Sequence, residues 1–340
     1  MKQHSLQSWF KSGAPGVWMS AGAVSIAVIM TIGLLLMIGI RGLGYFWPAD
    51  LVQARYQIPG QEARLIVGEL VQEEEVSRAR LKSAGFPVTD AGPEFMTRDL
   101  IKVGNREVYG SDFSWVIGEW LTDHSYPKDL VALERREWGN FYGYIVSVKE
   151  SGKVIAEGEA AWPVLQERLA RVNHLAEKLA TLEKKDISAI NHGLERLRLQ
   201  TRKLELEGRL DATAQADIDA ERAALEARYK ALEGELVSLH GEVDRDSLVV
   251  REVGGEEKEI SLGKLVKALQ PNNMSVFAKL GTYFSNLWSF LSDDPREANT
   301  EGGIFPAIFG TVMMTILMAI IVTPFGVLAA VYLREYAKQN

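Results

Sequence analysis

The sequence predicts an α-helical membrane protein in which two transmembrane helices flank an outer α+β domain containing an antiparallel coiled-coil hairpin. Three observations predict it. Two long uncharged apolar runs lie near the two ends of the 340-residue chain, an aromatic and β-branched stretch follows the first, and heptad-spaced leucines fill the middle.

The first run, Val17 to Ile40, carries no charged side chain. A bilayer core needs about 20 apolar residues in a helix rising about 1.5 Å each, so this run is long enough to cross. A cleaved signal peptide has an apolar core of only about 7–15 residues and a small-residue cleavage site. Here Arg41 and the bulky Tyr45, Phe46 and Trp47 follow instead, which predicts a retained anchor. Trp9, Phe10 and Trp18 on one side and Tyr45, Phe46 and Trp47 on the other have the placement of interfacial aromatic belts. The second run, Ile304 to Leu333, is also uncharged. A buried helix of a soluble core is the plain alternative for such a run. Pro324 lies inside it and removes one backbone donor, so a kink or a break near Thr323 is expected. Lys2 and Lys11 precede the first run, and Arg334 and Lys338 follow the second; Arg41 and Arg55 lie between. This distribution favours both termini inside and the middle of the chain outside.

From Asp50 to Trp162 the pattern suggests a mixed α+β unit. Leu65 to Arg80, rich in Glu and Arg, is expected to form a helix, with Glu73, Glu74 and Glu75 on its solvated face. Phe113 to Ile117 and Phe141 to Lys149 read as strands, and Ser151-Gly152 turns the chain so that Lys153 to Glu159 pairs back. From Pro163 to Val243 the composition shifts to Leu, Ala, Glu, Lys and Arg. Leu165, Leu169, Val172, Ala176 and Leu179 step by four and three, as do Ile190, Leu194, Leu197, Thr201 and Leu204. Ile218, Leu225, Leu232 and Leu239 recur every seven residues. Such spacing keeps one apolar stripe facing a partner helix. Gly208 and Asp211 interrupt it, which predicts an antiparallel hairpin with its tip near Glu207 to Thr213 and a second disruption at Lys184 to Ser188. A parallel homodimeric coil is the rival arrangement. Beyond the hairpin, Gly254-Gly255 marks a short β-hairpin, Ser261 to Leu269 is expected to be helical, and Phe277, Leu280, Phe284, Leu287 and Leu291 share one face of an amphipathic helix, with Trp288 beside them. That helix is expected at the outer membrane interface, or else packed on the soluble domain.

Composition excludes several chemistries. There is no cysteine, hence no disulfide, no Cys-based zinc site and no thiol nucleophile. The excess of 45 acidic over 38 basic residues, net −7, argues against a nucleic-acid partner. Gly254-Gly255 lacks the Gly-Lys-Ser/Thr of a phosphate loop. His174, His192 and His240 lack metal-ligand spacing, and Asp217, Asp219 and Glu221 lack the glycine and distal glutamate of a calcium loop. Asp293-Asp294 is expected in a loop before the second run, and such a pair does acid–base work only beside a pocket and perturbing neighbours. No catalytic, cofactor-binding or metal-binding residue is singled out.

Asn299-Thr-Glu-Gly-Gly303, Thr323-Pro-Phe-Gly326, Val331-Tyr-Leu333 and Glu335-Tyr336, within the block from Asp293-Asp-Pro-Arg296 onward, are a set of local motifs. Together they resemble the A-type permease subunit of the bacterial Pst phosphate ABC transporter. The order of span, large outer domain and second span is similar to the version of that family with a long periplasmic loop. The resemblance implies a membrane subunit of an ATP-driven inorganic phosphate importer that performs no covalent chemistry itself. It implies as partners a sister permease subunit, a cytoplasmic ATPase subunit, a periplasmic phosphate-binding protein and membrane lipid. Thr323 and Pro324 would lie within a core helix, and Glu335 and Tyr336 at its cytoplasmic end. The family continues into further spans and a coupling helix, so the chain is expected to be the N-terminal portion of such a permease.

The organisation expected in a bacterial inner membrane is a cytoplasmic N-terminus at 1–16, transmembrane helix 1 at 17–40 and a periplasmic α+β region at 41–162. The coiled-coil hairpin follows at 163–243, a small α/β hairpin region at 244–272, an interfacial amphipathic helix and loop at 273–303, transmembrane helix 2 at 304–333 and a cytoplasmic end at 334–340. Two other functions share this layout: a two-span membrane sensor, and a periplasmic coiled-coil adaptor protein.

Overall fold

The computed structural model describes residues 13–89, 92–296 and 301–335. Lys2, Trp9, Phe10, Lys11, Asn299, Thr300, Tyr336 and Lys338 lie outside them. The chain forms two compact units. One comprises the segments up to and including Pro48, Ser275–Pro295 and from Gly302 onward; the other is Ala49–Met274 with Arg296–Glu301.

The first unit begins with α1, Ala14–Gly44, which contains the apolar run and extends it at both ends. Its candidate spanning segment, Gly16–Gly44, has 29 residues, a length of about 43 Å at 1.5 Å per residue. That exceeds the roughly 30 Å of a hydrocarbon core. Its side chains from Val17 to Leu43 are exposed.

The second unit holds two antiparallel sheets. β1 (Leu51–Tyr56), β2 (Arg64–Ser77), β3 (Phe95–Lys102), β4 (Phe113–Ile117) and β5 (Leu121–Ser125) form a sheet in the order β4-β3-β2-β1-β5. The short helices α2 (Arg78–Ser83) and α3 (Arg106–Tyr109) lie in its connections. β2 corrects the helix expected over Leu65 to Arg80, of which only α2 at the far end is helical. The strand is central, paired with β1 from Arg64 to Glu69 and with β3 from Glu69 to Ser77. Gly68 permits this, since a Cβ there would lie 2.2 Å from the Lys102 carbonyl oxygen. The helix-favouring glutamates are overridden by cross-strand partners: Glu74 lies opposite Arg98 and pairs with it, while Arg98 also stacks over Trp115 at 4.1 Å. Glu73 to Glu75 are thus strand residues.

β6 (Val131–Arg135), β7 (Asn140–Glu150), β8 (Lys153–Glu157), β9 (Asp246–Arg251), β10 (Glu257–Ser261) and β11 (Leu265–Leu269) form the second sheet, in the order β10-β9-β7-β6-β11, with β8 also on β7. Segments 41–162 and 244–272, read separately in the sequence, therefore supply strands to one sheet. The Ser151-Gly152 turn and the Gly254-Gly255 hairpin form as expected, the former with both residues at positive φ. Ser261 to Leu269, expected to be helical, is instead one 3₁₀ turn (Leu262–Lys264) followed by β11. Leu262, Leu265 and Ala268 are buried there and β11 completes the pairing of β6, so burial decides against the local helical tendency.

Between β8 and β9 the chain leaves the sheet as a pair of helical arms. α4 (Ala161–Thr181) continues through a π-helical turn, Leu182–Ile187, into α5 (Ser188–Leu206), and α6 (Ala212–Val243) returns. The π turn lies at the disruption expected around Lys184. The tip falls at 207–211, where Gly208 takes φ +64° and the Asp211 carboxylate accepts from Ala214 N at 2.8 Å as the cap of α6. The arms run antiparallel within the chain: Arg171 pairs with Glu242, Lys178 with Glu235 and Asp186 with Arg228. Gly193 lets them approach, since a Cβ there would meet Leu225 Cδ1 at 2.9 Å. The first half of α4 is part of the domain core. Ala161, Leu165, Leu169 and Val172 pack with Leu133, Phe141, Val148, Leu248 and Val250 of the second sheet.

At the root of the arms Asp246 has a side chain with no exposure. It accepts from Arg245 Nε at 3.0 Å and Arg171 Nη2 at 3.3 Å. Burial pushes its carboxyl up, but the Arg245 hydrogen bond and charge and the Arg171 charge outweigh this and hold it below the usual carboxylate range. Replacing Asp246 by Ala removes a shared partner of Arg245 and Arg171, which keep Glu150 and Glu242, and should cost about 2 kcal/mol, read from the denaturant midpoint. A group whose folded pKa is depressed contributes stability above its unfolded pKa, about 3.9 for Asp. Part of the wild-type stability should therefore disappear as pH falls below about 4, and the variant should show a shallower loss there. An unchanged midpoint would refute the role given to Asp246.

The chain then returns to the first unit. α7 spans Val276–Ser292 and α8 spans Phe305–Glu335. α8 passes through Pro324 without a break, so of the kink or break expected near Thr323 the break does not occur. Proline removes a single donor, the one that would reach the Ile320 carbonyl, which the rest of the helical ladder tolerates.

Candidate functional site

The first unit presents the most distinctive surface among the described residues. The exposed faces of α1 and α8 are apolar along their length, and their hydroxyls are turned inward. Ser20 donates to Val17 O, Thr31 to Ala27 O, Thr311 to Ala307 O, and Thr315 to Thr311 O. These bonds satisfy the hydroxyls without solvent, as a hydrocarbon environment requires.

α7 carries its polarity inside out. Lys279 is buried, and Tyr283, Asn286 and Phe290 follow it at helical spacing on a partly covered face. The opposite face exposes Phe277 (85%), Leu280, Phe284, Trp288 (71%) and Leu291, again at steps of three and four. A helix packed on a soluble core shows the reverse. The covered face meets the C-terminal end of α1. Asn286 Nδ2 donates to Phe46 O at 3.2 Å, and the Phe46 ring lies 5.0 Å from that of Phe290 and 6.5 Å from that of Tyr283. Trp47 stands 6.3 Å from Tyr283. The aromatic residues following the first apolar run thus form one cluster with α7.

The junction between α7 and α8 explains the paired glycines of the Asn299–Gly303 motif. Gly302 has φ +89°. At Gly303 a Cβ would lie 2.1 Å from the Asp293 carbonyl oxygen, because the backbone folds back so that Ile304 N donates to Phe290 O at 2.8 Å. Asp293 and Asp294 are exposed backbone-turn residues beside this junction.

The remaining sequence candidates stay dispersed. His174, His192 and His240 are exposed on the arms, His240 lying 3.7 Å from Glu183. Asp217 and Asp219 flank the buried Ile218 on α6, and Asp219 accepts from Gln215. Among the described residues no group of three metal-ligating side chains converges. No family model, curated protein or solved structure matches the chain. The inverted polarity of α7 has a sequence signal in its apolar spacing. Only the structure reveals that the opposite, lysine-bearing face is the covered one.

Two glycines test this geometry in opposite directions. Gly303→Ala forces backbone apart and should lower the thermal midpoint in detergent, by about 1–3 kcal/mol of overpacking. Gly281, inside α7 with open space around its Cβ position, should gain about 0.5–1 kcal/mol on conversion to Ala. Equal midpoints for the two variants would contradict the close approach at Gly303.

Proposed function

We propose that the chain is a membrane permease subunit of an ATP-driven inorganic phosphate importer in a bacterial inner membrane. α1 and α8 would cross the bilayer, both termini would be cytoplasmic, and Ala49–Met274 would fold in the periplasm. The observation that carries the membrane part of this reading is the exposed apolar face of α7. A helix with buried Lys279 and outward Phe277, Phe284 and Trp288 is suited to lying at a lipid–water interface. Its position in the chain between the outer domain and α8 suits the outer leaflet. The transport part rests on the resemblance of Gly302-Gly303, Thr323-Pro-Phe-Gly326 and their neighbours to the A-type permease of the phosphate system.

In this reading the subunit is no enzyme. ATP hydrolysis would belong to a cytoplasmic ATPase subunit, the path would be shared with a sister permease, and a periplasmic binding protein would deliver phosphate. The arms α4–α6 would act as an antiparallel coiled coil that docks or spaces one of these outer partners, with Ile190, Leu197, Ile218 and Leu239 of the arms being buried within the chain.

The absence of cysteine gives a direct topology test. In intact spheroplasts, a membrane-impermeant maleimide should label Asp217→Cys, and sodium carbonate should leave the chain in the membrane pellet. Recovery in the supernatant would sink the membrane reading, and labelling only after lysis would overturn the orientation given to Ala49–Met274. Deleting the gene should reduce high-affinity phosphate uptake and restore it on complementation. Normal uptake in the deletion strain would remove the transport assignment and leave the topology intact.

A further inference from the structure

The turn between β6 and β7 stores strain in order to display a tryptophan. Trp138 adopts φ +72°, a conformation that a bulky L-residue rarely takes, and is 52% exposed. The turn is held from beneath by Arg135, which is buried. Arg135 Nε donates to Gly139 O at 2.9 Å, and Nη2 to Trp138 O at 2.5 Å. Glu107 of α3 balances its charge at 2.8 Å from Nη1 and pairs also with Lys258. A buried ionic group thus fixes a backbone that costs free energy and an aromatic ring that faces solvent. Strain of this kind persists where the surroundings over-determine it, commonly in ligand clamps.

The ring borders an open cleft of about 340 Å³, whose walls include Arg136, Glu137, Lys258 and Lys264. Arg136 Nε donates to Gly263 O at 2.9 Å and Nη2 to Asn173 Oδ1 at 3.3 Å, both neutral acceptors. Among the described residues no carboxylate forms an ion pair with Arg136 or Lys264, and Glu137 has no cationic partner. Burial and the neighbouring Arg296 push the Arg136 guanidinium below its ordinary value, and the charge of Glu177 opposes them. The cleft therefore offers two incompletely neutralised cations, one free carboxylate and one exposed aromatic face.

We propose that this cleft binds an acidic saccharide, with the sugar ring stacked on Trp138, its carboxylate between Arg136 and Lys264, and a hydroxyl donating to Glu137. The electron-rich tryptophan face suits the polarised C–H edges of a pyranose. A carboxylate suits the charge-assisted donors. The free Glu137 suits a hydroxyl donor and disfavours a second anionic group. The proposal is independent of the transport reading.

Full-length chain in detergent, titrated with glucuronic acid and followed by saturation-transfer NMR, should show saturable binding, at least tenfold tighter than glucose or inorganic phosphate. Lys264→Gln should weaken glucuronate at least tenfold. Trp138→Asn should do the same while leaving the thermal midpoint equal or higher, because asparagine tolerates positive φ. The proposal is overturned by an absence of saturable glucuronate binding, by glucose or phosphate binding as tightly, or by either variant binding glucuronate as the parent does.

Discussion

The carboxylate of Asp246 lies fully buried where the returning arm rejoins the second sheet, and it holds together three parts of the chain. Arg245 is its neighbour in sequence, Arg171 comes from the outgoing helix α4, and Arg168 of that helix stands at 3.9 Å. Arg168 and Arg245 both reach Glu150 at 3.1 Å, at the end of β7 opposite Asp246. Desolvating one carboxylate is unfavourable, and only closely placed cations offset it. Arg245 supplies the nearest of them from the adjacent position, and α4 adds Arg171 where it lies against β9. The apolar contacts of Leu165, Leu169 and Val172 are non-directional, whereas the charge network adds direction to the packing.

A different constraint governs the first unit. In water a helix hides its apolar stripe, and α7 does the opposite while α1 and α8 have no polar face to turn. The hydroxyls of Ser20, Thr31, Thr311, Thr315 and Thr323 bond to their own helices, so the exposed surface presents few unmet polar groups. Such a surface is suited to an apolar surrounding, whether a bilayer or the apolar face of another chain. The covered face of α7, by contrast, uses the polar Asn286 on the Phe46 carbonyl, a bond that fixes α7 against α1 by direction as well as by area.

These two parts differed in how far the sequence disclosed them. The apolar runs, the arms, their tip at Gly208 and Asp211 and the hairpins at Ser151-Gly152 and Gly254-Gly255 were legible, because each depends on local periodicity or on a residue with special backbone freedom. β2 and β11 were not, since their helix-favouring residues become strand only when distant neighbours pair with them: Glu74 with Arg98, and Leu269 with Ala132. β1, β3, β5 and β6 were hidden for the same reason, being short and defined by partners far away in the chain. The cleft at Trp138 was equally invisible. Arg135, Glu107 and Lys258 meet only through the fold, and no short-range pattern announces a tryptophan at positive φ.

The arrangement of β7 explains how so large an excursion can be inserted without cost to the sheet. β7 pairs with β8 on one register and with β9 on the next, so the chain departs and returns beside the same strand. Ser151 N donates to Arg245 O at 2.8 Å, closing the base of the excursion. With the ends pinned there, the entropy of closing the inserted segment grows only slowly with its length. The arms beyond Val172 therefore answer to their own seam and tip rather than to the domain. Their surface ion pairs add little stability in water, so the outer part of the hairpin can diverge in length and charge while Asp246, Glu150 and the three arginines keep its root unchanged.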